Sequence, residues 1–322
     1  MKLGLLSTAR INDAILSGAE GSDRVEVVAV ASRDGARAQA YAHEHAIPRA
    51  HGSYEALLAD DGVDAVYISL PNRLHHEWTL AALDAGKHVL CEKPYSRRPQ
   101  EVEEAFARAE SAGLVLMEAF MYRHHPQTAR VKALVEEGAI GRLRLILAAF
   151  RFVLSDLGDI RASVELDGGA LMDVGCYCVS GTRNIAGEPE HVRGEQVLGP
   201  TGVDLSFHGT LRFPGDVVAQ FDCSFALPRF QRLELVGDEG RLLVESPWRV
   251  DWAGDLLLYR DGEDVSPVDV PRADAYRLQL ENLTDAIEGK ASSLLGRADA
   301  LGQARTIDAL YRSATENRVV SL

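Results

Sequence analysis

The sequence predicts an α/β chain in two parts: a doubly wound parallel sheet of the Rossmann type, then an α+β domain with an open, mostly antiparallel sheet. Across the first 122 residues, short continuous apolar runs alternate with helical stretches, the pattern of a parallel sheet buried on both faces. Beyond Tyr122 the runs switch to alternation of apolar and polar residues, as in a sheet with one packed face. A length of 322 residues, at roughly 150 per domain, is enough for two cores. The expected domains are 1–122 and 123–322.

The elements follow in order. Residues 2–6 form an apolar strand, and 11–17 a helix stopping at Gly18. Residues 24–30 are a β-branched strand, followed by an alanine-rich helix over 37–44. Ser53 caps a short helix, 54–58. Strands at 65–70, 88–91 and 114–117 alternate with helices at 76–85 and 100–111. In the second part, a helix (127–137) and a long strand (143–152) lead through a glycine-rich loop to a helix over 171–184. Four alternating strands follow. In them Phe207, Leu211 and Phe213 interleave with His208, Thr210 and Arg212, and Ala219, Phe221 and Cys223 with Val218, Gln220 and Asp222. Leu233 and Leu235 interleave with Arg232 and Glu234, and helices over 275–288 and 298–316 close the chain.

Composition narrows the function. The net charge of −14 disfavours nucleic acid and anionic membranes as partners. It is evenly spread, with −6 over residues 1–122 and −8 over the rest. Hydrophobic and charged fractions of 46% and 25% are those of a globular protein and exclude disordered and fibrous classes. Cys91, Cys176, Cys178 and Cys223 are too few and scattered for a disulfide framework, so they read as buried small hydrophobes. The apolar start breaks at Ser7, with Arg10 and Asp13 following, too soon for a signal peptide. No apolar stretch approaches the ~20 residues of a membrane span, and the expected location is the cytoplasm. The pairs His75–His76 and His124–His125 diverge on any regular backbone, and no metal site is expected.

The first motif follows the first strand. Ser7-Thr8-Ala9-Arg10-Ile11 opens a helix where a dinucleotide fold carries G-x-G-x-x-G, with Ser7, Ala9 and Asn12 at the glycine positions. Small residues at the first two let a phosphate reach the helix N-terminus, and the hydroxyls of Ser7 and Thr8 add donors. A capped turn with no ligand reads equally well from this segment alone. The second strand ends Ala31-Ser32-Arg33-Asp34. A hydroxyl and a guanidinium suit a 2′-phosphate, so the reading favours NADP, with NAD possible if Asp34 reaches the ribose. The alternative for Ser32 is a helix cap.

Two further motifs end predicted parallel strands, where open α/β sheets bind ligands: Leu70-Pro71-Asn72 with His75, and Glu92-Lys93-Pro94. Together with Met117-Glu118-Ala119-Phe120-Met121-Tyr122-Arg123 and Gly168-Gly169-Ala170-Leu171-Met172-Asp173-Val174-Gly175-Cys176-Tyr177, the chain resembles the glucose–fructose oxidoreductase/inositol dehydrogenase (Gfo/Idh/MocA) family over its whole length. The last two segments look most like the branch with glucose–fructose oxidoreductase, dimeric dihydrodiol dehydrogenase and NADP-linked xylose dehydrogenase.

The resemblance implies an N-terminal NAD(P)-binding domain and a C-terminal domain that shapes the substrate pocket and forms a homodimer or homotetramer through its sheet. The cofactor residues would be Ser7, Thr8, Ala9, Arg10, Ile11, Ser32, Arg33, Leu70, Pro71, Asn72, His75, Glu92 and Lys93. The catalytic lysine falls on Lys93, the acid/base tyrosine on Tyr177, and the carboxylate at substrate hydroxyls on Asp173. Asn12, standing for a small residue, and His124, standing for an aromatic, depart from the family pattern. The substrate would be a sugar, sugar derivative or cyclic diol. A tyrosine titrating near 10 acts as a base at neutral pH only if about 3–4 kcal/mol of field stabilises its phenolate, a task for Lys93 and the oxidised nicotinamide. Read from the residues alone, Tyr177 is also a core aromatic and Asp173 an N-terminal helix charge. A non-catalytic cofactor-binding sensor is the competing function. Selectivity is expected to rest on loop residues such as Arg151, Asp156 and Trp248.

Overall fold

The computed structural model describes residues 1–251, 254–260 and 262–322, and the chain divides into two compact units, 1–124 with 274–301, and 125–273 with 302–322. The first unit carries strands β1 (Lys2–Leu6), β2 (Glu26–Ala31), β3 (Arg49–His51), β4 (Ala65–Ile68), β5 (His88–Cys91) and β6 (Leu116–Glu118). Helices α1 (Asn12–Glu20), α2 (Gly35–Glu44), α3 (Tyr54–Leu58), α4 (His75–Asp84) and α5 (Pro99–Ala112) connect them. All pairs are parallel, in the order β3-β2-β1-β4-β5-β6. That is the doubly wound order, whose ligand crevice opens at the carboxyl ends where the order reverses, between β1 and β4. Both strands are buried on both faces: Leu3, Leu5, Leu6, Val66, Tyr67 and Ile68 are wholly inaccessible. This is why they read as unbroken apolar runs.

Two expectations shift here. The helix expected to stop at Gly18 runs on to Glu20. Gly18 is a packing residue: a Cβ there would lie 2.8 Å from the Arg277 backbone nitrogen. Helix α8 (Ala275–Ile287) therefore lies directly on α1. The single cut expected after Tyr122 also differs from the observed division, because Asp274–Leu301 returns to the first unit. Arg24 reaches Asp285 and Glu288, each at 2.7 Å, and Arg123 reaches Asp299 at 3.2 Å. Sequence distance hid these pairs.

The second unit holds α6 (Pro126–Glu136), β7 (Leu143–Arg151), α7 (Cys176–Ala186), β8 (His191–Leu198), β9 (Asp204–Phe213), β10 (Val217–Ser224), β11 (Phe230–Gly237), β12 (Gly240–Val244), β13 (Leu256–Arg260), β14 (Ser266–Pro267) and β15 (Val320–Ser321). Helix α9 (Arg297–Glu316) begins in the first unit and ends in this one. The sheet order is β14-β13-β12-β11-β7-β10-β9-β8-β15, antiparallel throughout except for the parallel β10–β7 pair. The alternation holds: Phe207, Leu211, Phe213, Ala219, Phe221 and Cys223 are buried while His208 and Gln220 are exposed. All four cysteines are free and buried, and burial pushes the thiols of Cys91, Cys178 and Cys223 well up. Among the described residues, no helix is long and apolar enough to cross a membrane.

Candidate cofactor and catalytic sites

Ser7 ends β1 with φ at +142°, a region that glycine enters freely and other residues enter under strain. A buried network holds it there. The Ser7 carbonyl accepts from Asn12 Nδ2 at 2.8 Å, and Ser7 Oγ accepts from the Ala9 N–H at 3.1 Å. Ser69, just past β4, donates its hydroxyl proton to Asn12 Oδ1 at 2.7 Å. The 2.7 Å contact between the Ser7 and Ser69 hydroxyls must then have Ser7 as donor, because Ser69 has no second proton. Asn12 is wholly buried and lies beside the Tyr41 hydroxyl, which burial pushes up to about 12. Polar side chains thus hold the turn where a dinucleotide fold uses glycines. The network bridges β1 and β4 at the point where the strand order reverses.

The turn then enters α1, with the Asn12 N–H on the Ala9 carbonyl at 3.0 Å. Of the amides before it, those of Thr8, Arg10 and Ile11 belong to a helix start and suit an anion, while that of Ala9 is taken by Ser7 Oγ. Thr8, Ala9 and Ile11 are half-buried and Arg10 is exposed.

At the end of β2, Asp34 caps α2, accepting from the N–H groups of Ala36 at 2.9 Å and Arg37 at 3.3 Å. Ser32 accepts from the Asp34 N–H at 3.2 Å. The helix cap is therefore Asp34 and not Ser32, which settles the alternative for Ser32. Arg33 and Arg37 are exposed. Arg33 lies beside the Tyr54 hydroxyl, which burial raises and the guanidinium pulls back down. Two guanidiniums beside a helix N-terminus, with the Ser32 hydroxyl, are a donor set that fits a 2′-phosphate. Sequence reading passed over Arg37; its place in the first turn of the capped helix, four residues after Arg33, was the available signal.

Leu70, Pro71 and Asn72 follow β4, and Asn72–Leu74 forms a 3₁₀ turn into α4. His75 was expected at the cofactor, but its side chain is wholly buried. One ring nitrogen meets the Pro94 carbonyl at 3.0 Å and the other the Leu70 carbonyl at 2.8 Å. It ties the two motif loops together from inside. Burial, aided by the Lys93 charge, lowers its pKa. Glu92 also works on the loop: its carboxylate accepts from the Tyr67 hydroxyl at 2.5 Å and from the Lys93 N–H at 3.3 Å. From the adjoining strand end, buried Glu118 accepts the Tyr95 N–H at 2.8 Å. Lys93, half-buried, precedes a cis peptide to Pro94 and sits between these two anchors.

Asp173 and Tyr177 belong to the second unit, so the sequence-predicted residues divide: thirteen cofactor candidates in the first, these two in the second. Asp173 lies in a π-turn, Leu171–Gly175, that runs straight into α7. Such turns are rare and concentrate at functional sites. Buried Asp204 holds its start, accepting the Leu171 N–H at 2.7 Å and the Tyr311 hydroxyl at 2.9 Å. Gly169, at φ +119°, leaves room for that carboxylate, whose oxygen would lie 2.1 Å from a Cβ. Tyr177 comes four residues after Asp173, with its ring edge-on to Phe150 at 5.4 Å.

Two of the three loop expectations are corrected, since Trp248 lies in the core and Arg151 ends strand β7, while Asp156 does lie in an exposed loop. Trp248 is a core residue, wholly buried, donating to the Ala149 carbonyl at 3.0 Å. Arg151 pairs with Asp222 on the adjacent strand at 2.9 Å. Asp156 closes its own turn on the Gly158 N–H at 2.8 Å. His125 caps α6 through the Gln127 N–H at 3.1 Å.

Comparison with known proteins bears on the fold and the family. Residues 7–120 match the model of an oxidoreductase family with an NAD-binding Rossmann fold, GFO/IDH/MocA. Residues 128–243 match the C-terminal domain of the same family. A D-xylose 1-dehydrogenase (NADP⁺) from Haloferax volcanii is 41% identical over 100% of both chains. The trans-1,2-dihydrobenzene-1,2-diol dehydrogenase of Danio rerio is 33% identical, over 90% of this chain and 89% of its own. Among solved structures, a 3-ketoreductase from Actinomadura kijaniata with NADP and TDP-benzene superposes with a TM-score of 0.91 at 31% identity, covering 97% of each chain.

Proposed function

Because the chain belongs to the Gfo/Idh/MocA oxidoreductase family, we propose that it transfers a hydride between NADP and a secondary alcohol or carbonyl of a sugar, sugar derivative or cyclic diol. The first unit is the cofactor domain and the second the substrate domain. Bound NADP supplies the hydride acceptor, or in its reduced form the donor. Thr8–Ile11 hold the pyrophosphate, and Ser32, Arg33 and Arg37 hold the 2′-phosphate. In oxidation the Tyr177 oxygen takes the proton of the reacting hydroxyl, and Lys93 stabilises the phenolate that makes this feasible. In reduction the Tyr177 phenol returns that proton, while Lys93 holds the carbonyl oxygen. Asp173 accepts hydrogen bonds from neighbouring substrate hydroxyls.

The cofactor preference rests on the exposed guanidiniums of Arg33 and Arg37, which flank Asp34 at the end of β2. Asp34 itself spends one carboxylate oxygen, Oδ1, on the first turn of α2. The chemistry is supported by the full-length likeness to an NADP-linked xylose dehydrogenase, which also weighs against a sensor. The test is absorbance at the nicotinamide band across a panel of sugars and cyclic diols. Tyr177→Phe is expected to lower turnover by about 10²–10⁴-fold, the usual worth of a general acid/base, with NADP affinity nearly intact. An unchanged rate removes Tyr177 from the mechanism, and no hydride transfer with any substrate removes the function.

The oligomer is proposed to form through the open face of the second sheet. There Leu145, Leu147, Val218 and Val236 are half-buried side by side. A sedimentation profile showing only monomer at micromolar concentration refutes it.

A further inference from the structure

The loop between β7 and α7 carries Arg161, which sequence reading passed over. The backbone of Arg161 is fixed at both ends: its N–H donates to Asp159 Oδ1 at 2.9 Å, and its carbonyl accepts the Gly169 N–H at 2.8 Å. Its side chain spans two carboxylates. Nε donates to Asp173 Oδ2 at 3.1 Å, and Nη1 to both Asp159 oxygens at 3.2 Å. Among the described residues no acceptor takes Nη2. The Asp173 carboxylate also raises the guanidinium pKa, so the cation persists at any working pH. The pair remains reachable, at 37% exposure for the Arg161 side chain and 20% for that of Asp173. On the same loop, Ile160 and Val164 flank the arginine at 48% exposure each.

We infer that Arg161 is a specificity-determining residue, which with Asp173 reads two neighbouring hydroxyls of the substrate. The inference rests on the oxidoreductase reading and narrows its substrate class to vicinal polyols, excluding simple monohydroxy alcohols. The chemistry follows from the donor inventory. A hydroxyl donates one hydrogen bond and accepts others. The Asp173 carboxylate is an acceptor only, and the Nη2 edge of Arg161 is a donor only. Adjacent hydroxyls satisfy both when one donates to Asp173 and its neighbour accepts from Arg161. Because Nε anchors the carboxylate, the two groups keep a fixed spacing, as reading a 1,2-diol requires. Ile160 and Val164 offer apolar surface to the C–H face that every sugar also presents.

The experiment compares D-xylose with its mono-deoxy analogues in the wild type, Arg161→Gln and Arg161→Lys. One arm measures kcat and KM at saturating NADP; the other measures sugar binding to the NADPH-loaded protein by calorimetry. Hydrogen bonds to charged groups predict a 10- to 100-fold preference, order of magnitude, for xylose over the analogue lacking the hydroxyl beside the reacting carbon. Arg161→Gln is expected to remove most of that preference, raising KM for xylose by a similar factor while kcat changes less than about threefold. Arg161→Lys keeps one charged donor without the planar fork and should recover part of the binding. A folded Arg161→Gln protein with wild-type KM and preference overturns the assignment. So does a fall in kcat at constant KM, which would place Arg161 in the chemistry instead. A wild type that neither binds nor oxidises any sugar overturns the oxidoreductase reading itself, and the assignment with it. A wild type active on xylose beside an unaltered Arg161→Gln overturns this inference alone.

Discussion

The most exposing perturbation is Asn12→Ala, because it removes the centre of the polar network that holds the turn glycine holds elsewhere. The substitution strips the Ser7 carbonyl of its 2.8 Å donor and the Ser69 hydroxyl of its 2.7 Å acceptor. A buried polar group left without its partner costs about 1–3 kcal/mol. The Ser69 proton has a fallback in Ser7 Oγ, so the carbonyl dominates and the total is about 2–4 kcal/mol. A second consequence concerns the backbone. A non-glycine residue at φ +142° persists only while its surroundings over-determine it, at a strain of order 1–3 kcal/mol. Without Asn12 the turn relaxes, its amides lose their aim, and NADP affinity is expected to fall by about 30- to 150-fold, equivalent to about 2–3 kcal/mol. Urea unfolding measures the first loss and titration of NADPH fluorescence the second. Ser7→Gly in the same background supplies the discriminating arm, since glycine takes the conformation unaided. The double variant should regain a large part of the affinity. An Asn12→Ala protein within about twofold of wild type, or a glycine that rescues nothing, refutes the reasoning.

The remaining expectations follow from the charges nearby. Arg33→Ala and Arg37→Ala should each weaken NADP about tenfold or more while moving NAD less than about threefold, because a charged hydrogen bond to phosphate is worth about 1.5–3 kcal/mol; equal losses for both cofactors, by calorimetry, refute the 2′-phosphate assignment. His124 bears on acid stability: burial holds its pKa near about 3, against an ordinary 6.5, and its Nε2 lacks a partner among the described residues. Between those values the unfolded chain binds a proton that the native state refuses, so stability falls as pH falls from 6.5 toward 3. At pH 5 the penalty is about 2 kcal/mol, and His124→Phe should shrink the drop in melting temperature between pH 7 and pH 5. An unchanged drop rejects His124 as the source. His75, also lowered by burial, keeps some of the slope in the variant.

What the sequence reveals and what it hides divide along a physical line. Strands β1, β4 and β5 were legible because burial on both faces writes itself as uninterrupted apolar residues, within one or two positions of the observed ends. The three-residue strand Arg49–His51 was not, being too short and too polar to carry a period. The motif residues were legible as types. Their division of labour was not, because it depends on which hydrogen bonds close. His75 and Glu92 stand in the motifs beside Lys93, yet both turn inward to fix loop backbone. Conversely Ser69 and Arg161 sit in no motif: long-range pairing brings Ser69 to Asn12, and closure of an irregular loop brings the carbonyl of Arg161 to Gly169.

The same line explains how a chain with a net charge of −14 holds a polyanion. Charge summed over the molecule acts at long range and is screened beyond about 8–10 Å at physiological salt. Binding is decided inside that distance, where three acids at the strand ends, Asp34, Glu92 and Glu118, are engaged with partners of their own. Asp34 faces the amides of Ala36 and Arg37, and Glu92 accepts from Tyr67 and Lys93. Glu118 accepts from the Tyr95 amide. A carboxylate that accepts hydrogen bonds from backbone amides fixes a loop and has part of its field answered by those same dipoles. In the proposed site, acids that would repel a phosphate thus serve as scaffold: Asp34 fixes the start of α2 beside Arg33 and Arg37, and Glu92 and Glu118 fix the loop of Lys93. Substituting any one of them should disturb cofactor binding by moving backbone and not by changing the overall charge. An added surface acid remote from the crevice should leave NADP affinity unchanged at physiological salt.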